Sequence, residues 1–366
     1  MDDHKTGGNR GGAPNSVFSD LYGELKSLPV TVESVSFEGK RIETERQTFE
    51  RTIIRVRGDD ATGFGEDVTR PIEAHERLRE DGLPLPTGDW TIETFSDALD
   101  TDPVRLEQTV PRETPEHLRW AIESAALDLA LKQAGRTLAT VLDRVYEPMA
   151  FVVSPRLGDP PRTRPVDRFL DTNPNVEFKI DVPDTPSDEL LSALSETGAI
   201  RILDLKAQYD SDVSAPVDPD LYQRLFETFP NALIEDPAVT DATRPVLEEY
   251  SDRISWDAPI TSVESIKNLP WEPTILNIKP CRSGTLDSLC RILEYASQHD
   301  IELYGGGMFE LDAGRAHSQA IASLFYPNGP NDLAPPVYHE YQADKSYPPS
   351  PLDPPAKPTG IGWYSR

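Results

Sequence analysis

The 366 residues carry 63 Asp and Glu against 36 Lys and Arg, a formal net charge of −27, and suffice for a large core and more than one domain. That charge excludes nucleic acid and anionic membrane as partners, since both need a basic surface, and no apolar run approaches the ~20 residues that span a bilayer. Two cysteines, Cys281 and Cys290, are too few for a disulfide framework or a cysteine zinc site and point to a reduced, cytoplasmic setting.

Lysine is scarce, with 10 Lys against 26 Arg. Acidic residues displacing lysine suit a protein kept soluble in high salt, where repulsion among carboxylates is screened. In chain order, residues 1–15 are Gly-rich and polar, lack the apolar core of a signal peptide and read as a disordered leader. Residues 28–70 predict antiparallel strands, VTVESVSFEG and RQTFERTIIRVRG, followed by the turn-rich ATGFGEDV. PEHLRWAIESAALDLALKQAG then has helical spacing, with Gly135 as its C-cap. These elements make an N-terminal α+β unit over 16–140.

From 141 to 346, short apolar runs alternate with helix-sized segments. The runs are MAFVVSP, VEFKIDV, IRILDLK, ALIEDP, ISWDAP, ILNIKP, IELYGGG and the weaker NDLAP. Eight such βα units predict a (β/α)8 barrel; no GxGxxG follows the first strand to support a doubly wound sheet. The tail 347–366 is proline-rich and predicted to lie extended over the surface.

In such a barrel the C-terminal strand ends face the active site. Those ends supply Lys179, Asp204, Lys206, Glu235, Asp257 and Lys279, with Glu310 after YGGGMF. Gaps of 25, 31, 22 and 22 residues separate 179, 204, 235, 257 and 279, one βα unit each. Three successive strands thus deliver one carboxylate each, between strands that deliver lysines. Converging carboxylates repel unless a cation lies among them, and hard oxygen donors suit Mg2+. A lysine whose pKa is lowered by desolvation and a nearby metal is able to remove a carbon-bound proton as a neutral amine. Gly305, Gly306 and Gly307 either let backbone N–H groups approach an anionic substrate group or serve a tight turn. Lys206 and Glu310 are candidates for contact with substrate or for plain salt bridges.

The order and spacing of GFGED, HLRWAIESAALDLALKQAG, LIEDP, SWDAP, NIKP and GGGMFELDAGRAH resemble the enolase superfamily, in its muconate-lactonizing/mandelate-racemase branch, over nearly the whole chain. The resemblance implies a capping domain on a barrel. It also implies Mg2+ on Asp204, Glu235 and Asp257, acid/base lysines at Lys179 and Lys279, and a small-molecule carboxylate as substrate. The shared half-reaction removes the α-proton and passes through an enediolate. Completion as dehydration, racemisation or cycloisomerisation is left open, with o-succinylbenzoate synthase among the implied types and a homo-oligomer as the common assembly. An acid-sugar dehydratase and a non-catalytic metal-binding barrel are the alternatives.

The chain departs from the family pattern at several places. Strand 2 usually reads Lys-x-Lys; here it reads Glu177-Phe178-Lys179-Ile180-Asp181, so a shift of two residues would put Asp181 in the catalytic place and favour one-base chemistry. Lys206 occupies the place of an asparagine in Asp-x-Asn. Strand 7 has no histidine, and His317 on the following helix reads as a packing residue. Substrate choice is expected in the capping loop FEGKRIETERQTFER.

Overall fold

The computed structural model describes residues 18, 20–44, 47–101, 115–209 and 216–363. The predicted leader and residues 45 and 46 of the capping loop lie outside them. In the N-terminal part, β1 (Pro29–Val32) pairs antiparallel with β5 (Gly88–Thr91). Strands β2 (Ser34–Glu43), β3 (Thr48–Gly58) and β4 (Ala61–Asp67) form an antiparallel sheet in that order.

The segment expected to be turn-rich, ATGFGEDV, is strand β4, and its glycines have another reason. The Pro115–Gln133 helix lies directly on this strand, and a β-carbon on Gly63 or Gly65 would fall on the carbonyl oxygens of Ala125 and Ala121. Glycine here permits close approach of two backbones. The helix is consequently buried on nearly every side, and it ends where Gly135 turns to φ 62°.

The C-terminal part is a parallel sheet in chain order. It comprises β6 (Val152–Val153), β7 (Glu177–Asp181), β8 (Ile200–Asp204), β9 (Leu233–Glu235), β10 (Ile254–Trp256), β11 (Ile275–Ile278) and β12 (Glu302–Gly305). The weak eighth run contributes only Asn331 and Asp332, yet these close the ring: Asn331 bridges to Phe151 and Asp332 to Gly306, both parallel. Helices Asp188–Glu196, Pro219–Thr228, Leu286–Gln298 and Ala313–Phe325 fall on the predicted segments. The architecture is the expected α/β barrel with an N-terminal cap.

Two apolar layers follow from strand alternation. Val152, Ile202, Ile275 and Tyr304, with Leu233 against them, plug the barrel interior, while the alternate residues join the larger core beneath the helices. The tail is tied in as well as extended: Leu352 bridges to Met149, Gly360 to Thr137, and Ile361 is buried.

Cap and barrel meet at the loop after β12. Glu66 accepts backbone N–H groups from Leu311, Asp312 and Gly314 at 2.5–2.9 Å, Lys40 pairs with Asp312, and Arg51 donates to the carbonyls of Met308 and Phe309. Burial pushes the Glu66 carboxyl up from 4.5 to about 7 against those N–H groups. The folded protein therefore binds this proton more tightly than the unfolded chain. The linked stability is full below about pH 4.5 and is lost as pH rises through about 7. Glu235 and Asp236, raised by burial to about 8 and about 7, add falls of the same sign. Stability measured by urea unfolding across this window should therefore fall by up to about 3 kcal/mol less in Glu66→Gln than in the wild type. An equally steep fall in the variant would assign the slope to another group.

Candidate active site

The charged residues expected at the strand ends are gathered at the barrel mouth. Asp204 and Glu235 end β8 and β9, Asp257 and Lys279 follow β10 and β11 directly, and Lys179 lies mid-β7. The strands are short, and Pro237, Pro259 and Pro280 follow closely on the functional residues. Proline's fixed φ and missing N–H stop the ladder there. Asp204, Glu235 and Asp257 are all buried, so each needs a partner.

Each carboxylate has several. The Lys179 ammonium lies 3.0 Å from Asp204 Oδ2 and also bonds Glu235 Oε1. Glu235 Oε2 accepts from the Tyr304 hydroxyl and, at 3.2 Å, from Asn277; Ser255 stands 2.9 Å from the same tyrosine oxygen. Asp204 Oδ1 accepts the Lys206 backbone N–H at 3.0 Å, and Oδ2 accepts the Lys206 ammonium at 2.9 Å. Asp257 Oδ2 accepts from Lys279 at 2.8 Å and from the Tyr209 hydroxyl at 2.6 Å, while Oδ1 accepts from Arg282 at 2.7 Å. Asp236, in the left-handed region at φ 51°, accepts the N–H groups of Asp257 and Ala258 at 2.8 Å and so fixes the end of β10.

In this network, with the acids as their counter-ions, both lysines are raised. Burial pulls Lys279 down, but Asp257 outweighs it and the amine is raised. Lys179 is likewise raised well above its usual value: burial opposes this, and Asp204 and Glu235 prevail. Burial raises Asp257 and Asp204 too, yet Arg282 and Lys279 on one and Lys179 and Lys206 on the other hold both well below the carboxylate range. Glu235, the most enclosed, is lifted by burial to about 8 despite Lys179. In this state both lysines are ammonium ions.

The remaining expected residues have distinct places. Lys206 bridges Asp204 and Asp181. Gly306 makes room for the Lys279 side chain and Asn277, and Gly307 for the Arg315–Glu310 pair at 3.2 Å; neither has positive φ. Glu310 is buried and accepts the Met308 N–H at 2.9 Å, ordering the loop after β12. His317 is fully buried in its helix, as a packing residue. Of the two readings of strand 2, Lys179 is the residue against the acids, whereas Asp181 is half-exposed at the rim.

Arg282, Tyr209, Tyr304 and Asn277 were not foreseen. Asn277 was available from alternation, two residues before Lys279 on one face. Arg282 follows Lys279 by three across the Pro280–Ser283 turn of helix. Tyr209 is in a loop, where no period exists to find it.

Oxygen donors from three neighbouring staves are the ligand type Mg2+ takes. The Lys179 ammonium already stands as a cation between Asp204 and Glu235, so these residues fit such an ion in kind. As they stand, no three acids, cysteines or histidines among the described residues are near enough to share one ion; Asp257 is paired with Lys279 and Arg282. Beside the mouth lies a cavity of about 370 Å³, lined by Phe49 of the cap, Phe169, Phe309, Arg156, Arg168 and Arg315, with Gly307 and Asp332 at its inner edge.

Two family models, the N-terminal and C-terminal domains of a domain of unknown function, DUF8230, match residues 23–141 and 145–340. The o-succinylbenzoate synthase of Listeria innocua is 25% identical over 295 residues, covering 72% of this chain and 77% of that protein. That of Bacillus subtilis is 26% identical over 247 residues, covering 61% of this chain and 63% of its own. Among solved structures, muconate cycloisomerase from Pseudomonas fluorescens superposes with a TM-score of 0.63 at 21% identity, covering 83% of this chain and 87% of that one. An enolase-superfamily member from Listeria innocua does so with a TM-score of 0.58 at 18% identity, covering 83% of each. The resemblance to the enolase superfamily is borne out, as is its cap-and-barrel fold. No helix among the described residues is long and apolar enough to cross a membrane.

Lys179→Met would leave Asp204 and Glu235 buried side by side without their shared cation, a loss worth about 3–5 kcal/mol. Denaturant unfolding should show a fall of that size, and millimolar Mg2+ should restore part of it by binding the freed acids. An unchanged midpoint would mean that Lys179 does not hold the acids together.

Proposed function

We propose, from the premise that this chain belongs to the DUF8230 family and has the enolase-superfamily fold, that it removes the proton α to a small-molecule carboxylate. The observation that carries this reading is the convergence of three buried carboxylates and Lys279 at one barrel mouth, beside a cavity large enough for a metabolite. Lys279 is the amine we assign to proton transfer. Lys179, the second amine expected from the sequence, holds Asp204 and Glu235 from beneath.

Asp204, Glu235 and Asp257 are the residues that would hold Mg2+. When bound, the ion would supply positive charge against the negative charge developing on the substrate carboxylate. The part played by this chain is electrostatic. Paired with Asp257, Lys279 keeps its proton; once Asp257 is engaged elsewhere, burial favours the neutral amine and Lys279 becomes a proton acceptor. Arg282 and Tyr209, bonded to each other at 2.6 Å and both to Asp257, are the other partners of that carboxylate when Lys279 lets it go.

For completion of the reaction, we favour dehydration of the o-succinylbenzoate-synthase type, with racemisation or cycloisomerisation as variants of the same half-reaction. Two relatives bear the name o-succinylbenzoate synthase, and the cap contributes a phenylalanine to the cavity. The Phe49 ring, stacked on Phe309 beside Thr44, offers a flat apolar face to a ring-bearing acid, and Arg156, Arg168 and Arg315 offer charge to its carboxylates.

Lys279→Ala should lower α-hydrogen exchange in D2O, followed by NMR over a set of N-acyl amino acids, by at least about 100-fold. The circular dichroism spectrum should be unchanged. An undiminished rate in the variant would remove Lys279 from the mechanism.

A further inference from the structure

Resting on the proton abstraction proposed above, we infer that Lys206 is the amine that meets the substrate on the β7–β8 side of the mouth, with Asp181 as its rim counter-ion. Relative to a lysine-ended β7 followed by Asp-x-Asn, the amine stands just beyond β8 and an acid stands at the end of β7.

The register fixes the depths. Asp181 pairs with Asp204 and Lys179 with Ile202, and Asp204 in turn pairs with Glu235. All these strands run toward the mouth, so Lys179 starts two residues deeper, level with the apolar plug to which Ile202 belongs. Its ammonium is taken up by Asp204 and Glu235, and its side chain is only 4% exposed. A substrate arriving from the mouth meets those carboxylates before it meets Lys179.

Lys206 begins beyond the end of β8 and is 25% exposed. Its ammonium bridges Asp204 Oδ2 at 2.9 Å and Asp181 Oδ1 at 3.0 Å, directly above the carboxylate that Lys179 holds from below. It also lies 5.8 Å from the centre of the Tyr209 ring, and the hydroxyl of that ring donates to the same Asp257 oxygen that receives Lys279. Lys206 and Lys279 thus border one mouth, on either side of Tyr209.

The backbone gives an independent sign that this placement is imposed. Lys206 has φ 53°, a left-handed conformation that is uncommon for a residue with a long side chain and unfavourable by about 1 kcal/mol or more. It is held by the Lys206 N–H to Asp204 Oδ1 at 3.0 Å and the Ala207 N–H to the Asp236 carbonyl at 3.0 Å. The N–H and the ammonium of Lys206 thus both fall on Asp204, with the ammonium turned back over the acids rather than out to solvent. A lysine serving only as a surface ion pair has no need of this bend. Asp181, half-exposed, is the partner that an incoming carboxylate is able to replace.

The experiment uses the full chain with Mg2+ and N-succinylphenylalanine, which offers two carboxylates and an exchangeable α-hydrogen. Calorimetry reads its binding and NMR in D2O its exchange. Lys206→Met should weaken binding by about 10-fold or more, the range of one charged hydrogen bond, and should also reduce exchange. The exchanged pair Asp181→Lys with Lys206→Asn should recover both, and it decides the matter if the single variant fails to fold. Binding and exchange that survive in Lys206→Met overturn the inference and leave the proton-abstraction reading standing. Wild-type binding without exchange overturns that reading, while the binding arm still decides Lys206. If wild-type protein does not bind the compound, both fall.

Discussion

Three carboxylates buried at one end of a barrel must be compensated, and much of the mouth is organised by that requirement. Isolated, each would ionise only at a large desolvation penalty. Here Asp204, Glu235 and Asp257 are enclosed by Lys179, Lys206, Lys279 and Arg282, with Tyr209, Tyr304 and Asn277 closing most of the remaining positions. Removing one cation leaves an acid without its partner. Adding another cation releases an amine whose ionisation those acids sustain. The same coupling that stabilises the resting network would therefore make Lys279 a usable base when its partner is drawn away.

Geometry for this network comes from backbone devices. Strands of three to five residues bring one charged residue per unit to the mouth. Asp236 spends its own carboxylate on the backbone of β10, and Gly306 removes the one side chain that would displace Lys279. At the cap, Glu66 performs the related task of satisfying N–H groups at the start of the Ala313–Phe325 helix. That contact holds the loop carrying Phe309 against the cap, where its ring stacks on Phe49 at 3.7 Å. The wall of the cavity is thus built by both parts of the chain.

How much was legible depended on whether a feature is periodic. Eight apolar runs gave the barrel, and one charged residue toward the end of each of five successive runs gave the five residues that meet at the mouth. The last run, NDLAP, forms no full strand, yet two of its residues close the ring. By contrast, the glycines of ATGFGEDV suggested a turn because composition does not distinguish a bend from a close helix contact. The pairing of the lysines was not legible either. No sequence spacing specifies the 2.8 Å distance from Lys279 to Asp257, and that contact raises the amine in the network as it stands. Tyr209 and Arg282 come from a loop and a single turn of helix, so their meeting at Asp257 depends on tertiary structure alone.

The economy of lysine bears on the same point. With only 10 lysines among 36 basic residues, the chain uses arginine for most of its cations, yet Lys179, Lys206 and Lys279 remain around the acids. Guanidinium is planar and keeps its proton throughout the accessible pH range; ammonium is compact, fits between two carboxylates, and loses its proton when they are withdrawn. Arg282 occupies the one position where permanent charge is wanted, holding both an oxygen of the Asp257 side chain and its carbonyl. On the proposed function, Lys206 and Lys279 occupy positions where a smaller ion, able to give up its place or its proton, is of use, whereas Lys179 is there because an ammonium fits between two carboxylates.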